Sequence, residues 1–183
     1  LVGSEMCIRD SVMAEALSGL PVPELTLQVS NRKVLEGFYR GLGVADPTAI
    51  MQIVDKLDKL SPDKVAGLLR EHGLTDDQAA RCLALADIRT TDTSFVEEVR
   101  ALGVGHPLLD EGLEELAAVV GAGEQVHGVV VTADLRIARG LDYYTGTVFE
   151  TRMAGYESLG SICSGGRYDQ LASDGKRTFP GVG

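Results

Sequence analysis

Arg139-Gly140-Leu141-Asp142-Tyr143-Tyr144-Thr145-Gly146-Thr147-Val148-Phe149-Glu150 is the run on which the reading of the fold turns. Its end, Thr147 to Glu150, together with the next residue Thr151 is β-branched and aromatic with polar residues interleaved, which predicts a strand. Upstream, Val126 to Val131 and Leu135 to Ala138 read as strands as well. Downstream, Ser161 to Ser164 is a fourth, ending in Gly165-Gly166. Short links between such segments predict antiparallel pairing. Leu25 to Val29 alternates apolar and polar residues, the period of another half-buried strand.

Between these strands lies a region of different character. Asn31 is placed to cap a helix with Val34, Leu35 and Phe38 on its inner face, ending at Gly41 or Gly43. From Asp46 to about Gly121 the period is helical throughout. Asp46-Pro47 and Ser61-Pro62 are start signals with the favoured first-turn proline. Thr75 with Gln78, and Ser94 with Glu97, have capping-box spacing. After His106-Pro107, Leu109, Leu113, Leu116 and Val120 form one stripe. Short amphipathic helices of this kind bury too little alone and must pack on one another. The predicted fold class is α+β, an antiparallel sheet flanked by helices and interrupted by a helical insertion. The boundaries are a core segment over 12–45, the insertion over 46–123 and a second core segment over 124–183. Leu1 to Ser11 has no period and is set aside as a leader foreign to the fold. The far end stops inside the turn-rich run Phe179-Pro180-Gly181-Val182-Gly183.

Composition narrows the function. The apolar share of 44% suits a packed globular core. No stretch approaches the ~20 apolar residues of a membrane span, and no secretory leader opens the chain. Cys7, Cys82 and Cys163 are scattered, without a Cys-x-x-Cys pair, and read as reduced cytosolic thiols. His72, His106 and His127 are equally dispersed, so no protein-bound metal site is predicted. Acidic residues outnumber basic ones 27 to 17, a formal charge of −10, which argues against a broad nucleic-acid surface.

The residue types in 139–150 suit a small ligand. A guanidinium presents a fixed fork of donors to phosphate or carboxylate. Two adjacent tyrosines add two hydroxyls that donate or accept, and an aromatic wall for a planar ring. One reading is a pocket for a small anionic or zwitterionic ligand with a planar polar ring. The other is a hairpin turn whose tyrosines pack on the sheet while Arg139 pairs with Asp142 or Glu150. Gly165-Gly166-Arg167-Tyr168-Asp169 is open in the same way: the glycines permit φ > 0 and close approach to a ligand, or they make a tight turn in which Arg167 pairs with Asp169. The charges of Asp55-Lys56-Leu57-Asp58-Lys59-Leu60 read as a solvated helix face. Cys82 falls on an apolar stripe with Ala79 and Leu83 and reads as core.

Taken together, Arg139 to Glu150 and Gly165 to Asp169 resemble the two histidine-specific signatures of histidyl-tRNA synthetases, in the same order and at a plausible separation. Asn31-Arg32-Lys33 and Val54-Asp55-Lys56-Leu57-Asp58-Lys59 resemble the segment entering that family's helical insertion. The resemblance implies a class II catalytic core, homodimeric and cytoplasmic, that joins L-histidine to ATP, with Mg2+ carried by the ATP, and passes the histidyl group to tRNA(His). It implies that Arg139 acts on the α-phosphate as the catalytic group. It also implies that Tyr143 and Tyr144 line the amino-acid pocket, that Gly165 and Gly166 let backbone approach the ligand, and that the insertion touches the tRNA acceptor arm. The family's first two class-defining motifs precede the stretch that matches, the third begins near Pro180, and its anticodon-binding domain lies beyond. The chain alone is therefore expected to be an inactive internal piece. The alternative is a synthetase-like regulatory subunit of ATP phosphoribosyltransferase, whose members degrade the first signature and lack the insertion.

Overall fold

The computed structural model describes residues 19, 21–123, 129–138 and 143–183. Strand β1 (Leu25–Asn31) leads directly into α1 (Arg32–Gly41). Then come α2 (Pro47–Val54), a 3-10 turn over Asp55–Asp58, α3 (Pro62–Glu71), α4 (Asp76–Asp87), the short β2 (Arg89–Thr90), α5 (Phe95–Ala101) and α6 (Pro107–Gly123). Strands β3 (Val129–Asp134), β4 (Thr147–Met153), β5 (Cys163–Tyr168) and β6 (Gly181–Val182) follow. They form one mixed sheet in the order β2-β3-β1-β4-β5-β6. The α+β class expected from the sequence is what the chain builds.

Most local signals act as read. Asn31 Oδ1 accepts from the Lys33 amide at 2.8 Å, and Asp46 Oδ1 from that of Ala49 at 3.1 Å. Thr75 and Gln78 make a reciprocal capping box. Ser61 and Ser94 are the exceptions, and Ser61 starts α3 with no side-chain cap bond. Ser94 is already helical in backbone, where a cap needs an extended one, and it caps nothing; its own amide donates to Asp92 Oδ1 at 2.9 Å. Gly43 (φ +80°) and Gly73 (φ +96°) supply the left-handed residues past α1 and α3.

Three strand expectations need correction. Leu135 to Ala138 is a turn. Asp134 Oδ1 accepts from the Arg136 amide at 3.1 Å and folds the chain back, while Leu135 and Ile137 stay buried as turn residues. The strand read at Ser161 to Ser164 starts at Cys163 and runs on through both glycines to Tyr168. Strands β3 and β4 do not pair with each other despite their short link. Strand β1 lies between them, parallel to β3 and antiparallel to β4. The parallel pair is possible because the whole helical region serves as its crossover.

The sheet has two unlike faces. Leu25, Leu27 and Val29 of β1, with Val129, Val131 and Ala133 of β3 and Phe149 of β4, pack into a core shared with the helices. Helix α6 lies against α1 and the sheet. At Gly37 a Cβ would strike the backbone of Leu108 and Leu109, and at Gly112 the backbone of Lys33 and Val34, so the two helices touch main chain to main chain. The opposite face carries Thr26, Gln28 and Ser30, with their register partners Arg152, Glu150 and Val148. Gly37→Ala is expected to cost roughly 1–3 kcal/mol by overpacking a backbone contact. Chemical denaturation of the variant against the parent chain measures it.

Candidate functional site

The tyrosine turn sits where β4 begins. The hydroxyls of Tyr143 and Tyr144 are 3.4 Å apart. Their ring centroids are 4.5 Å apart and the planes tilt by 58°. Tyr168 stands edge-on to Tyr143 at 6.1 Å and 80°. Three contacts hold the turn in place. The Thr145 amide donates to Arg167 O at 2.9 Å, the Arg32 amide to Gly146 O at 2.9 Å, and the Thr145 hydroxyl to Asp169 Oδ2 at 2.6 Å. Asp169 also receives Arg167 Nε at 3.0 Å, so the Arg167–Asp169 pair anticipated from the sequence is present, along a strand and not in a tight turn.

Gly165 and Gly166 do not make the tight turn that one reading gave them: both are extended members of β5 and neither has positive φ. Their missing side chains are what the structure uses. A Cβ on Gly166 would lie 2.9 Å from Tyr144 Cδ1 and 3.0 Å from Val148 Cγ1. A Cβ on Gly165 would strike Gly183 O and the Phe149 ring. Tyr144 thus rests on Gly166, on the side of the sheet that carries Val148, Glu150 and Arg152. Arg139, with Gly140, Leu141 and Asp142, lies outside the described residues.

That same face opens into a groove of about 550 Å³. Its floor is a polar relay across three strands. Arg152 Nε donates to Gln28 Oε1 at 2.8 Å, and Gln28 Nε2 donates to Asp134 Oδ2 at 3.1 Å. Arg89 lies 3.6 Å from Asp134, and Arg152 Nη2 is 3.3 Å from Glu150. Gln28, Asp134 and Glu150 are buried, and pairing compensates the charges among them. The sequence reading missed Gln28, Asp134 and Arg152 as a unit. The polar positions of β1, β3 and β4 were the available signal, but only the strand order brings them onto one face.

Asp55 and Asp58 also line this groove. They lie in the 3-10 turn after α2, and the solvent exposure read for this run holds at Lys56, Asp58 and Lys59. Cys82 is buried, and burial pushes its thiol up to about 12. Among the described residues no group of three or more His, Cys, Asp or Glu is arranged to hold a metal. Among them, too, no helix is long and apolar enough to cross a membrane.

Asp169 is the site carboxylate with a resolved shift. Partial burial alone would raise it, but the hydrogen bonds from Thr145 and Arg167 and the charges of Arg167 and Lys33 outweigh that and hold it low. A depressed folded value means stability that is present above the ordinary aspartate range near ~3.9 and lost as pH falls through the lower folded value. Asp169→Asn should therefore flatten the acid limb of the stability curve below about pH 4. Thermal melts of both proteins across that range check it, and parallel acid limbs would refute the assignment.

The sequence model of the family described as histidyl-tRNA synthetase matches residues 10–183. The histidine--tRNA ligase of Micrococcus luteus is 61% identical over 173 residues, covering 94% of this chain and 38% of that protein. That of Cutibacterium acnes is 56% identical over 177 residues, covering 94% and 39%. The chain thus spans about two fifths of the length of the curated relatives it matches. Among solved structures, the histidyl-tRNA synthetase of Nostoc sp. PCC 7120 superposes with a TM-score of 0.82 at 30% identity, over 96% of this chain and 44% of that one. A Bacillus halodurans structure described as an ATP phosphoribosyltransferase regulatory subunit/histidyl-tRNA synthetase superposes at 0.77 with 22% identity over 98% of this chain and 46% of that one, a likeness of fold alone. A mixed sheet with helices on one face, a tyrosine turn at the start of β4 and a sequence that matches almost throughout lead to one conclusion: the chain belongs to the histidyl-tRNA synthetase family and has that family's class II fold.

Proposed function

We propose that the protein to which this chain contributes activates L-histidine with ATP and transfers it to tRNA(His). The observation that carries the reading is the hydroxyl pair of Tyr143 and Tyr144. Each phenol hydroxyl is able both to donate and to accept, and the two oxygens stand side by side. Neutral imidazole needs this combination, because one ring nitrogen donates and the other accepts. Tyr144, seated on Gly166, forms one wall, and Gly165 keeps the strand beneath it closed against Phe149.

In this reading a histidine carboxylate oxygen attacks the α-phosphorus of ATP. The bond to the bridging β-phosphate oxygen breaks and pyrophosphate departs. Negative charge gathers on the non-bridging oxygens, and Arg139 is assigned to stabilise it with a preorganised guanidinium. A hydroxyl of the terminal tRNA ribose then attacks the carbonyl carbon and AMP leaves. Mg2+ arrives with the nucleotide phosphates. Core segments over 12–45 and 124–183, a helical segment over 46–123 that meets the acceptor arm, a homodimer and a cytoplasmic setting belong to the same proposal.

The regulatory-subunit alternative has less behind it, because identity to ligases reaches 61% while the structure bearing the double description stands at 22%. Histidine-dependent exchange of pyrophosphate into ATP by the full-length protein is the test. Exchange is expected, reduced by about 100-fold or more in Arg139→Ala and about 10-fold in Tyr144→Phe, the cost of one unmet hydrogen bond in the site. No histidine-dependent exchange in the unaltered protein would overturn the reading.

A further inference from the structure

Asn31 occupies a junction that the proposed chemistry does not use. It ends β1, caps α1 and is the register partner of Thr147, the first residue of β4 after the tyrosine turn. It is fully buried. Its Oδ1 is taken by the Lys33 amide at 2.8 Å. Its Nδ2 donates to Glu115 Oε2 at 3.0 Å and to Thr147 Oγ1 at 3.3 Å. The other oxygen of Glu115 receives Lys33 Nζ at 2.6 Å, an ammonium that Glu111 also holds at 2.6 Å.

Glu115 is therefore a carboxylate on α6 that fixes which way the Asn31 carboxamide faces. Its own place is set one turn earlier, where Gly112 brings the α6 backbone onto that of Lys33 and Val34. From Asn31 the constraint passes to Thr147, and from the neighbouring Arg32 amide to Gly146 O. The charge of Lys33 also reaches Asp169, which grips Thr145 on the other side of the turn. The tyrosine turn is thus braced at Thr145, Gly146 and Thr147.

We infer that Glu115 is a positioning residue for the Tyr143–Tyr144 pair, acting through Asn31 and Lys33 without touching the ligand. Removing its carboxylate leaves one buried Asn31 amide hydrogen without its acceptor and Lys33 with Glu111 alone, which loosens the hold of Asn31 on Thr147 at the start of β4. Glu111, whose side chain is 57% exposed, shares only the Lys33 ammonium and is the internal control.

The chain has no tryptophan, so its near-ultraviolet circular dichroism reports its five tyrosines. A Tyr143→Phe/Tyr144→Phe double variant identifies the share of the band due to the pair. Glu115→Ala is expected to lose most of that share while the far-ultraviolet spectrum is kept, and Glu111→Ala to keep both. Glu115→Gln, which retains one acceptor for either Asn31 or Lys33, should fall between and serves if the alanine variant does not fold. Resting on the proposed activity, KM for histidine in the full-length protein should rise roughly 10-fold in Glu115→Ala with KM for ATP unchanged. An unaltered tyrosine band in the Glu115 variants would overturn the inference, as would equal rises in both KM values. If the unaltered protein showed no exchange, the functional reading would fall while the tyrosine band still decided the role of Glu115.

Discussion

Helices α1 and α6 meet backbone to backbone, and much of the molecule follows from that contact. Side chains at Gly37 and Gly112 would hold the axes apart, because helices with ordinary side chains between them pack 8–10 Å apart. Their absence lets α6 lie close enough to cover β1 and β3 while Leu109, Leu113 and Leu116 fill the space beneath. The same approach carries Glu115 to Asn31 and Lys33. A packing constraint on one side of the sheet thereby becomes a geometric constraint at the start of β4, where the tyrosines are.

The two faces divide the labour. Against the helices the sheet is apolar and closed. On the other side Arg152, Gln28, Asp134 and Arg89 form a chain of donors and acceptors in which each buried group finds a partner. A half-satisfied network of this kind would be costly, whereas a connected one is rigid. The floor of the groove is thus built from paired charges that are already oriented and need no rearrangement to remain so.

What could be read from the sequence was whatever depends on neighbours in the chain. Asn31, Asp46 and Thr75 cap helices because their targets lie two or three residues away. Ser94 misled because its backbone is already helical where a cap requires an extended residue, which the spacing alone does not reveal. Leu135 and Ile137 looked like strand residues because burial demands apolar side chains in a turn as much as in a strand. The tight turn offered as one reading of Gly165 and Gly166 is an extended strand, and the space a side chain would fill there is taken by Phe149 and Tyr144. The groove and the brace through Glu115 were illegible for a different reason. Their members come together only once β1 is known to stand between β3 and β4, and no local pattern states that order.

The placement of β1 also governs how the chain acquires its shape. Its antiparallel and parallel neighbours both lie beyond the entire helical region, so β1 leaves the ribosome long before either partner exists. The helices in between close on nearby residues and form early, whereas pairing across so large a loop is slow. Helix α1, fused to the end of β1, offers the young strand its first shelter, and α6 arrives later to seal it. Within this stretch the apolar side of β1 therefore meets the helices earlier in synthesis than it meets either β3 or β4.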